Sequence, residues 1–334
     1  MLDNISNRAR SLHQRALVCD ITVPWHEEFL AQDADLHAVM GRFRQAGVNL
    51  LSMTVAAVDN ASETFRLIAK RRREILSRPD LYKLVYSVND ILEAKRQGVF
   101  GILFHFQGTH PFERNIDLIE PFYQLGIRQA LLAYNERTFV GDGCHEPEDA
   151  GLSVFGRYVV AEMNRVGMLV DCTHTGFRTS MDAMEVSTSP VIFSHSNPRA
   201  LFDHERNIRD EQIKACADTG GVIGINGVGL FNGASADTMV SRMVDGMVYV
   251  AEQVGAEHVA LGTDFMFVEG SAYRWYYDRA YMYPKGYSEP PWLFVQPEQI
   301  PAITEELVRR SFSDAEIEGI LGRNYLRVAE KVWK

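Results

Sequence analysis

The sequence predicts an α/β protein of the (β/α)8 barrel class, with a long aromatic loop after the eighth strand and helices near its C-terminal end. Three observations support this prediction. Eight short apolar runs alternate with helical stretches, the runs are continuously apolar, and ionisable residues stand where the runs end. Parallel strands covered on both faces have such runs, and barrels place their chemistry where the strands end. We expect a single domain over residues 1–334.

The eight predicted strands are rich in Val, Ile, Leu and Phe, and all end near a residue that can bind or react. They are Ala16–Val23, Gly47–Ala57, Val99–Gln107, Ile127–Asn135, Gly167–Thr175, Pro190–Asn197, Gly220–Asn226 and His258–Phe265.

Capping patterns predict where several of the intervening helices begin. Asn60 followed by Glu63, Ser87 by Asp90, and Ser313 by Glu316 are each typical of a capping box. Two helical segments, Gln299–Ser311 and Asp314–Lys334, follow the last strand.

The segment 266–300 interrupts this rhythm and is rich in Tyr, Trp and Pro. A loop of this length inside a compact domain is usually functional or disordered, and its aromatic content argues against disorder. Because it follows the eighth strand, we expect it to be a lid over the catalytic face or a contact between subunits.

Composition excludes several classes of partner. The net charge of −10 argues against a nucleic-acid partner. No apolar stretch approaches the roughly 20 residues of a membrane span, so we expect no membrane partner. The four cysteines form no CxxC pair, which together with the absence of a leader pattern favours a cytoplasmic protein. We expect its partner to be a small-molecule substrate.

His174 and His195 end consecutive predicted strands, so both imidazoles should reach one end of the barrel. Two neutral imidazoles at close range suit a divalent ion such as zinc. The alternative is that each ring only hydrogen-bonds within the barrel rim.

Three further positions are candidates for binding or proton transfer. Asp264 ends the eighth strand. Its candidate roles are general acid or base, metal ligand, anchor for a substrate amine, and partner of an arginine. For Arg206 we weigh two roles: it binds a substrate carboxylate through two hydrogen bonds, or it forms an ion pair with Glu205 or Asp210. Tyr134 ends the fourth strand and is expected to line the pocket.

These residues make the chain similar to the membrane (renal) dipeptidases, barrel enzymes of the amidohydrolase superfamily. The resemblance runs from about residue 15 onward. It is carried by the stretches 151–156, 169–174, 193–196, 203–207, 220–223, 261–265 and 320–328. It implies two zinc ions bridged by a glutamate and hydrolysis of dipeptides. It also implies that His174 and His195 ligate one zinc, that Arg206 and the adjacent Asn207 bind substrate, and that Asp264 lies in the active site.

The chain departs from the family pattern at the second zinc. Asp20 and Thr22 stand where the family has a His-x-Asp pair, Gln107 replaces the bridging glutamate, and Tyr134 replaces a substrate-facing histidine. We therefore expect at most one divalent metal, such as zinc, bound by His174, His195 and one oxygen donor from Asp20, Gln107 or Asp264. The alternative is that the site holds no metal and only binds a ligand.

The leading hypothesis is a divergent dipeptidase-like hydrolase acting on a small amide or dipeptide-like compound. The alternatives are a lyase or epimerase acting on a specialised small molecule, and a metal-free binding protein on the same scaffold. Family members often pair, so a homodimer is a further expectation.

Overall fold

The computed structural model describes residues 5–25, 35–267, 273–284 and 286–334. These residues contain nine strands, most of them buried along their whole length. The strands are β1 (Cys19–Pro24), β2 (Leu50–Ala56), β3 (Tyr82–Leu84), β4 (Phe100–Phe106), β5 (Ile127–Leu131), β6 (Leu169–Asp171), β7 (Val191–Ile192), β8 (Ile223–Asn226) and β9 (Val259–Gly262).

Thirteen α-helices of the described residues surround these strands, together with short 3-10 turns. They are α1 (Asn7–Arg15), α2 (Leu36–Gln45), α3 (Ala61–Leu76), α4 (Val88–Gln97), α5 (Ile119–Gln124), α6 (Val154–Val166), α7 (Phe177–Val186), α8 (Asp210–Asp218), α9 (Met239–Val254), α10 (Arg274–Asp278), α11 (Ile300–Arg309), α12 (Asp314–Glu318) and α13 (Asn324–Val332). No helix in these ranges is long and apolar enough to cross a bilayer.

The strands form the predicted parallel barrel. Six of them pair in the order β1-β2-β4-β5-β6-β7, and β8 pairs with β9. A bridge between Phe193 and Ile223 joins β7 to β8. The end of β9 returns to β1, where the Asp264 amide donates to the Thr22 carbonyl at 3.1 Å. All strand ends therefore meet at one face, called the mouth below.

The opposite end of the barrel is closed by helix α13. Its Tyr325 is fully buried among apolar residues of the strands, including Cys19 and Leu169. The Tyr325 hydroxyl donates to Gln129 Oε1 at 2.8 Å, and Gln129 Nε2 donates to the Ile21 carbonyl at 3.1 Å. A polar pair thus anchors the helix inside the barrel floor.

The structure confirms the barrel and the three capping boxes, and it corrects details. Strand β3, which was not predicted, has only three residues with Lys83 in the middle, so it lacks an apolar run. The last predicted helix is interrupted by a π-helical turn over Gly319–Arg323. A Cβ at Gly322 would lie 2.3 Å from the Leu17 carbonyl oxygen, so the chain bends there to pass the barrel floor.

The closing strands depend on glycine. A Cβ at Gly224 in β8 would lie 2.0 Å from the Ser194 carbonyl oxygen, whereas a Cβ at Gly41 in α2 would meet nothing within 4 Å. We expect Gly224→Ala to lower the free energy of unfolding by about 1–3 kcal/mol through overpacking. The matched change Gly41→Ala should raise it by about 0.4–1 kcal/mol, since glycine costs unfolded-state entropy. Urea unfolding measures both, and equal shifts would contradict the close approach.

Candidate metal and substrate site

The mouth of the barrel gathers buried polar side chains from six strand ends. Their backbones leave the strands just before or at these positions, so the side chains turn inward over the barrel. They are Gln107, Asn135, His174, His195, Asn226 and Asp264.

Three of these residues have left-handed backbone conformations. The φ angles are +61° at Asn135, +65° at His174 and +53° at Asp264. Side chains other than glycine rarely adopt this region, and such positions cluster at functional sites. The sharp turns aim each side chain across the mouth instead of along the sheet.

His174 and His195 approach each other directly. Their Nε2 atoms are 3.0 Å apart, and both rings are buried. Burial lowers the pKa of each imidazole well below its usual value, and the nearby Arg206 guanidinium lowers it further. The pair is therefore neutral at physiological pH.

Asn135 fixes the tautomer of His174. Its Nδ2 donates to the Met282 carbonyl at 3.1 Å, so its Oδ1 faces the ring and accepts from His174 Nδ1 at 2.6 Å. The Nε2 lone pair of His174 then points at His195. Ser194 Oγ lies 2.8 Å from His195 Nδ1 and either donates or accepts there. When it accepts, two lone pairs face each other, which is the arrangement that binds a cation.

Arg206 is buried beside this pair without a carboxylate partner. It is 3% exposed, its Nη2 donates to the His195 carbonyl at 3.4 Å, and its guanidinium lies 5.1 Å from the Phe231 ring centre. Its Nε has no hydrogen-bond partner among the residues that the structure describes. Within the described residues no ion pair includes Arg206, so the alternative pairing with Glu205 or Asp210 is not formed. A buried cation of this kind calls for an anion.

Asp264 supplies a carboxyl group near Arg206 at the mouth. Asn226 Nδ2 donates to Asp264 Oδ2 at 3.0 Å. Burial raises the pKa of Asp264 to about 7, although Arg206 and Asn226 oppose that shift. Both protonation states are therefore populated near neutral pH.

Asp20 is held by the end of β9. The Thr263 amide donates to Asp20 Oδ1 at 3.0 Å, and the Thr263 hydroxyl donates to Oδ2. The Thr22 hydroxyl donates to the neighbouring Ile21 carbonyl at 2.7 Å. Over the part of the chain that the structure describes, no three His, Cys, Asp or Glu side chains assemble into a metal site.

Aromatic residues of the segment 273–292 cover the mouth and leave a cavity of about 30 Å³. That is room for roughly two water molecules. The cavity is lined from the barrel side by Gln107, Tyr134, His174 and Asp264, and from the covering segment by Trp275, Tyr283, Tyr287 and Trp292. Residues 268–272 and 285 of the predicted loop lie outside the described residues.

Polar contacts hold the covering segment on the barrel. The hydroxyl oxygens of Tyr283 and Tyr134 are hydrogen-bonded at 3.0 Å. The Tyr134 ring stacks on the His174 ring, with ring centres 4.2 Å apart. The Tyr287 hydroxyl lies 3.1 Å from His145 Nε2. The Gly286 carbonyl lies 3.2 Å from His204 Nε2.

The structure brings His174, His195, Arg206 and Asp264 to one site, together with Gln107 and Tyr134. Asn207 instead donates to the Phe202 and Phe231 carbonyls at 2.8 and 2.7 Å and does not line the cavity. Asn135 ends the fourth predicted strand, but its role in orienting His174 could not be read from the sequence. Its only signal was its place directly after Tyr134 at a strand end.

Comparisons with known proteins place this geometry in context. The profile of the family described as membrane dipeptidase (peptidase family M19) matches residues 7–334. A dipeptidase of Claviceps purpurea is 29% identical over 281 residues, covering 83% of this chain and 62% of the relative. An uncharacterized dipeptidase of Schizosaccharomyces pombe is 31% identical over 284 residues, covering 80% of this chain and 62% of the relative. The matches thus span less than two thirds of these relatives' length.

Solved structures are similar over nearly the whole chain. An amidohydrolase from Pseudomonas aeruginosa superposes with a TM-score of 0.88 at 30% identity, covering 97% of this chain and 99% of that one. A Rhodobacter sphaeroides metallopeptidase, solved with a phosphinate mimic of the dipeptide L-Ala-D-Ala, has a TM-score of 0.77 at 16% identity, with 95% and 99% covered. The second likeness concerns the fold alone.

The buried carboxyl groups predict a pH dependence of stability. The pKa values of Asp20 and Asp264 are raised to about 7 in the folded protein, above the roughly 3.9 of an unfolded chain. Between these values the folded state binds more protons, so these groups stabilise it at low pH and that stability is lost as pH rises towards 7. We expect Asp264→Asn to remove one contribution. Urea unfolding of metal-free protein from pH 4 to 8 should give a shallower decline in the variant, and parallel curves would contradict this.

Proposed function

Because the chain belongs to the membrane dipeptidase family, we propose that it is a metal-dependent hydrolase that cleaves a C–N bond in a small dipeptide-like or amide substrate. It uses at most one catalytic divalent ion, and the chemistry of the two imidazole ligands favours zinc. The observation that carries the proposal is the neutral histidine pair, His174 and His195, with Nε2 atoms 3.0 Å apart beside a cavity.

One ion fits the residues present. Zinc bonds of roughly 2.0–2.1 Å at a tetrahedral angle separate two nitrogens by about 3.4 Å, so His174 and His195 need to part by only a few tenths of an ångström. Asn135 already presents the correct tautomer of His174. When bound, such an ion lowers the pKa of a water and polarises a carbonyl group.

A second ion does not fit. Asp20 is occupied by two hydrogen bonds from Thr263, and the Thr22 hydroxyl is turned to a backbone carbonyl. Gln107 is neutral and cannot balance a second dication. These three positions together support a centre with one metal at most.

Arg206 and Asp264 have separate roles: Arg206 binds the substrate, and Asp264 transfers protons. The unpaired Arg206 guanidinium binds the substrate carboxylate, which places the scissile amide over the histidine pair. Asp264 accepts a proton from the attacking water and returns it to the leaving amine. Its carboxyl group lines the same cavity as His174, which places a proton acceptor and donor beside the reacting atoms.

The covering segment, residues 273–292, acts as a lid. A cavity of about 30 Å³ cannot hold a dipeptide, so the segment must lift to admit substrate. Tyr277 and Tyr281 of this segment face outward, 55% and 68% exposed. Pairing of two chains through this face remains a further proposal.

The experiment is metal analysis and product analysis of zinc-loaded protein. We expect about one zinc per chain, cleavage of a dipeptide with oxygen from water in the product, and a much poorer rate on the same dipeptide with its carboxylate amidated. His195→Ala should remove the zinc and the activity while the fold remains, as seen by circular dichroism.

The alternatives give different results in this experiment. Metal-loaded protein that converts substrate without incorporating water is a lyase or epimerase. Protein that binds no zinc, and is not stabilised by adding it, is a metal-free binding protein. Either result overturns the proposed hydrolase.

The lid proposal predicts faster local opening when a clasp is removed. Tyr283→Phe deletes the hydroxyl that meets Tyr134 at 3.0 Å, so amide hydrogen exchange in residues 273–292 should rise several-fold. The exposed Tyr281→Phe on the same segment serves as the matched control and should leave exchange unchanged. Equal exchange in both variants would show that the hydroxyl contact does not hold the lid.

A further inference from the structure

Gln107 is a buried amide without a partner in the site just described. Its side chain is 2% exposed and lines the cavity beside His174 and Asp264. No hydrogen-bond acceptor among the described residues faces its buried Nε2. Buried amide groups are nearly always paired, so an orphaned one in a cavity indicates a ligand that accepts a hydrogen bond.

The backbone holds Gln107 rigidly. The backbone N–H of Gln107 donates to the Ala56 carbonyl at 2.9 Å. At the next residue, Gly108, a Cβ would lie 2.6 Å from the Ala57 carbonyl oxygen. The close approach of these two strand ends fixes where the Gln107 side chain leaves the barrel.

Charge explains why an amide is suited to this position. The cavity already holds the Asp264 carboxyl group, and Arg206 is the cation beside it. A glutamate at position 107 would add a second buried negative group and repel any developing oxyanion. Glutamine keeps the position neutral and adds a donor.

We propose that Gln107 Nε2 donates a hydrogen bond to the carbonyl oxygen of the scissile amide and stabilises the oxyanion formed from it. The neutral donor takes the place of a second cation. This inference rests on the proposed hydrolase function and assigns Gln107 as a catalytic residue, in place of the ligand role expected from the sequence.

The reaction balances with the addition of one water. A bond forms between the water oxygen and the carbonyl carbon, while Asp264 takes one proton from that water. The carbonyl π electrons move to the oxygen that Gln107 holds. When they return, the C–N bond breaks, and the amine leaves with the proton from Asp264.

The test compares zinc-loaded wild type with Gln107→Met and Gln107→Glu. Removing one oxyanion donor typically lowers kcat about 100-fold to 1,000-fold, so we expect Gln107→Met to lose about that much kcat with KM changed less than about threefold. Zinc content and thermal stability should stay near wild type. Affinity for a phosphinate dipeptide mimic should fall by a factor similar to that of kcat/KM.

Gln107→Glu separates the donor role from that of a lost metal ligand. We expect it to lower kcat and to leave zinc at about one per chain. A rise in kcat together with two zinc ions per chain would overturn the inference. The control is Gln97→Glu on helix α4, where the amide bonds only to Glu93 at 3.0 Å on the surface; it should behave as wild type.

The outcomes distinguish the two proposals. Turnover in wild type with equal kcat in Gln107→Met overturns the oxyanion role and leaves the hydrolase standing. Absence of turnover of both dipeptides and small amides in zinc-loaded wild type overturns the hydrolase, and the role assigned to Gln107 fails with it.

Discussion

The contact between His174 and His195 is the constraint on which the site depends. The Nε2 atoms of these two imidazoles, which follow neighbouring strands, lie 3.0 Å apart, and burial keeps both rings neutral. Asn135 and Ser194 hold the far nitrogens of the two rings. These outer contacts restrict rotation of the rings, so the orientation of the histidine pair depends on all four residues.

The departures from the family pattern form one coherent change. At the positions where the resemblance implies ligands for a second cation, hydrogen bonds join β1 to the residues that follow β9. Gln107 is neutral. Asp20 therefore contributes to the closure of the barrel.

Much of this could be predicted from the sequence because strand ends in a parallel barrel share one face. Apolar runs located eight strands, and the residues that end them included both histidines and Asp264. Side-chain pairing across the barrel was beyond such reasoning. Asp20 and Thr263 are 243 positions apart, and nothing in either local pattern shows that one binds the other. The left-handed turn at Asn135 is likewise set by tertiary contacts.

The aromatic segment was predicted from composition, but its manner of attachment was not. Its hydrogen bonds run to His145, His204 and Tyr134, and Asn135 donates to its Met282 carbonyl. Its aromatic side chains also pack into the hydrophobic core. The cover is thus attached through side-chain contacts, whereas the strands beneath it are joined by backbone hydrogen bonds.

The plug formed by Tyr325 bears on the order in which the molecule assembles. All nine strands leave the ribosome before helix α13, yet the lower interior of the barrel stays open until Tyr325 enters it and reaches Gln129. A nascent chain that carries every strand therefore still exposes apolar surface at its base. The fold is therefore completed only after helix α13 has been synthesised.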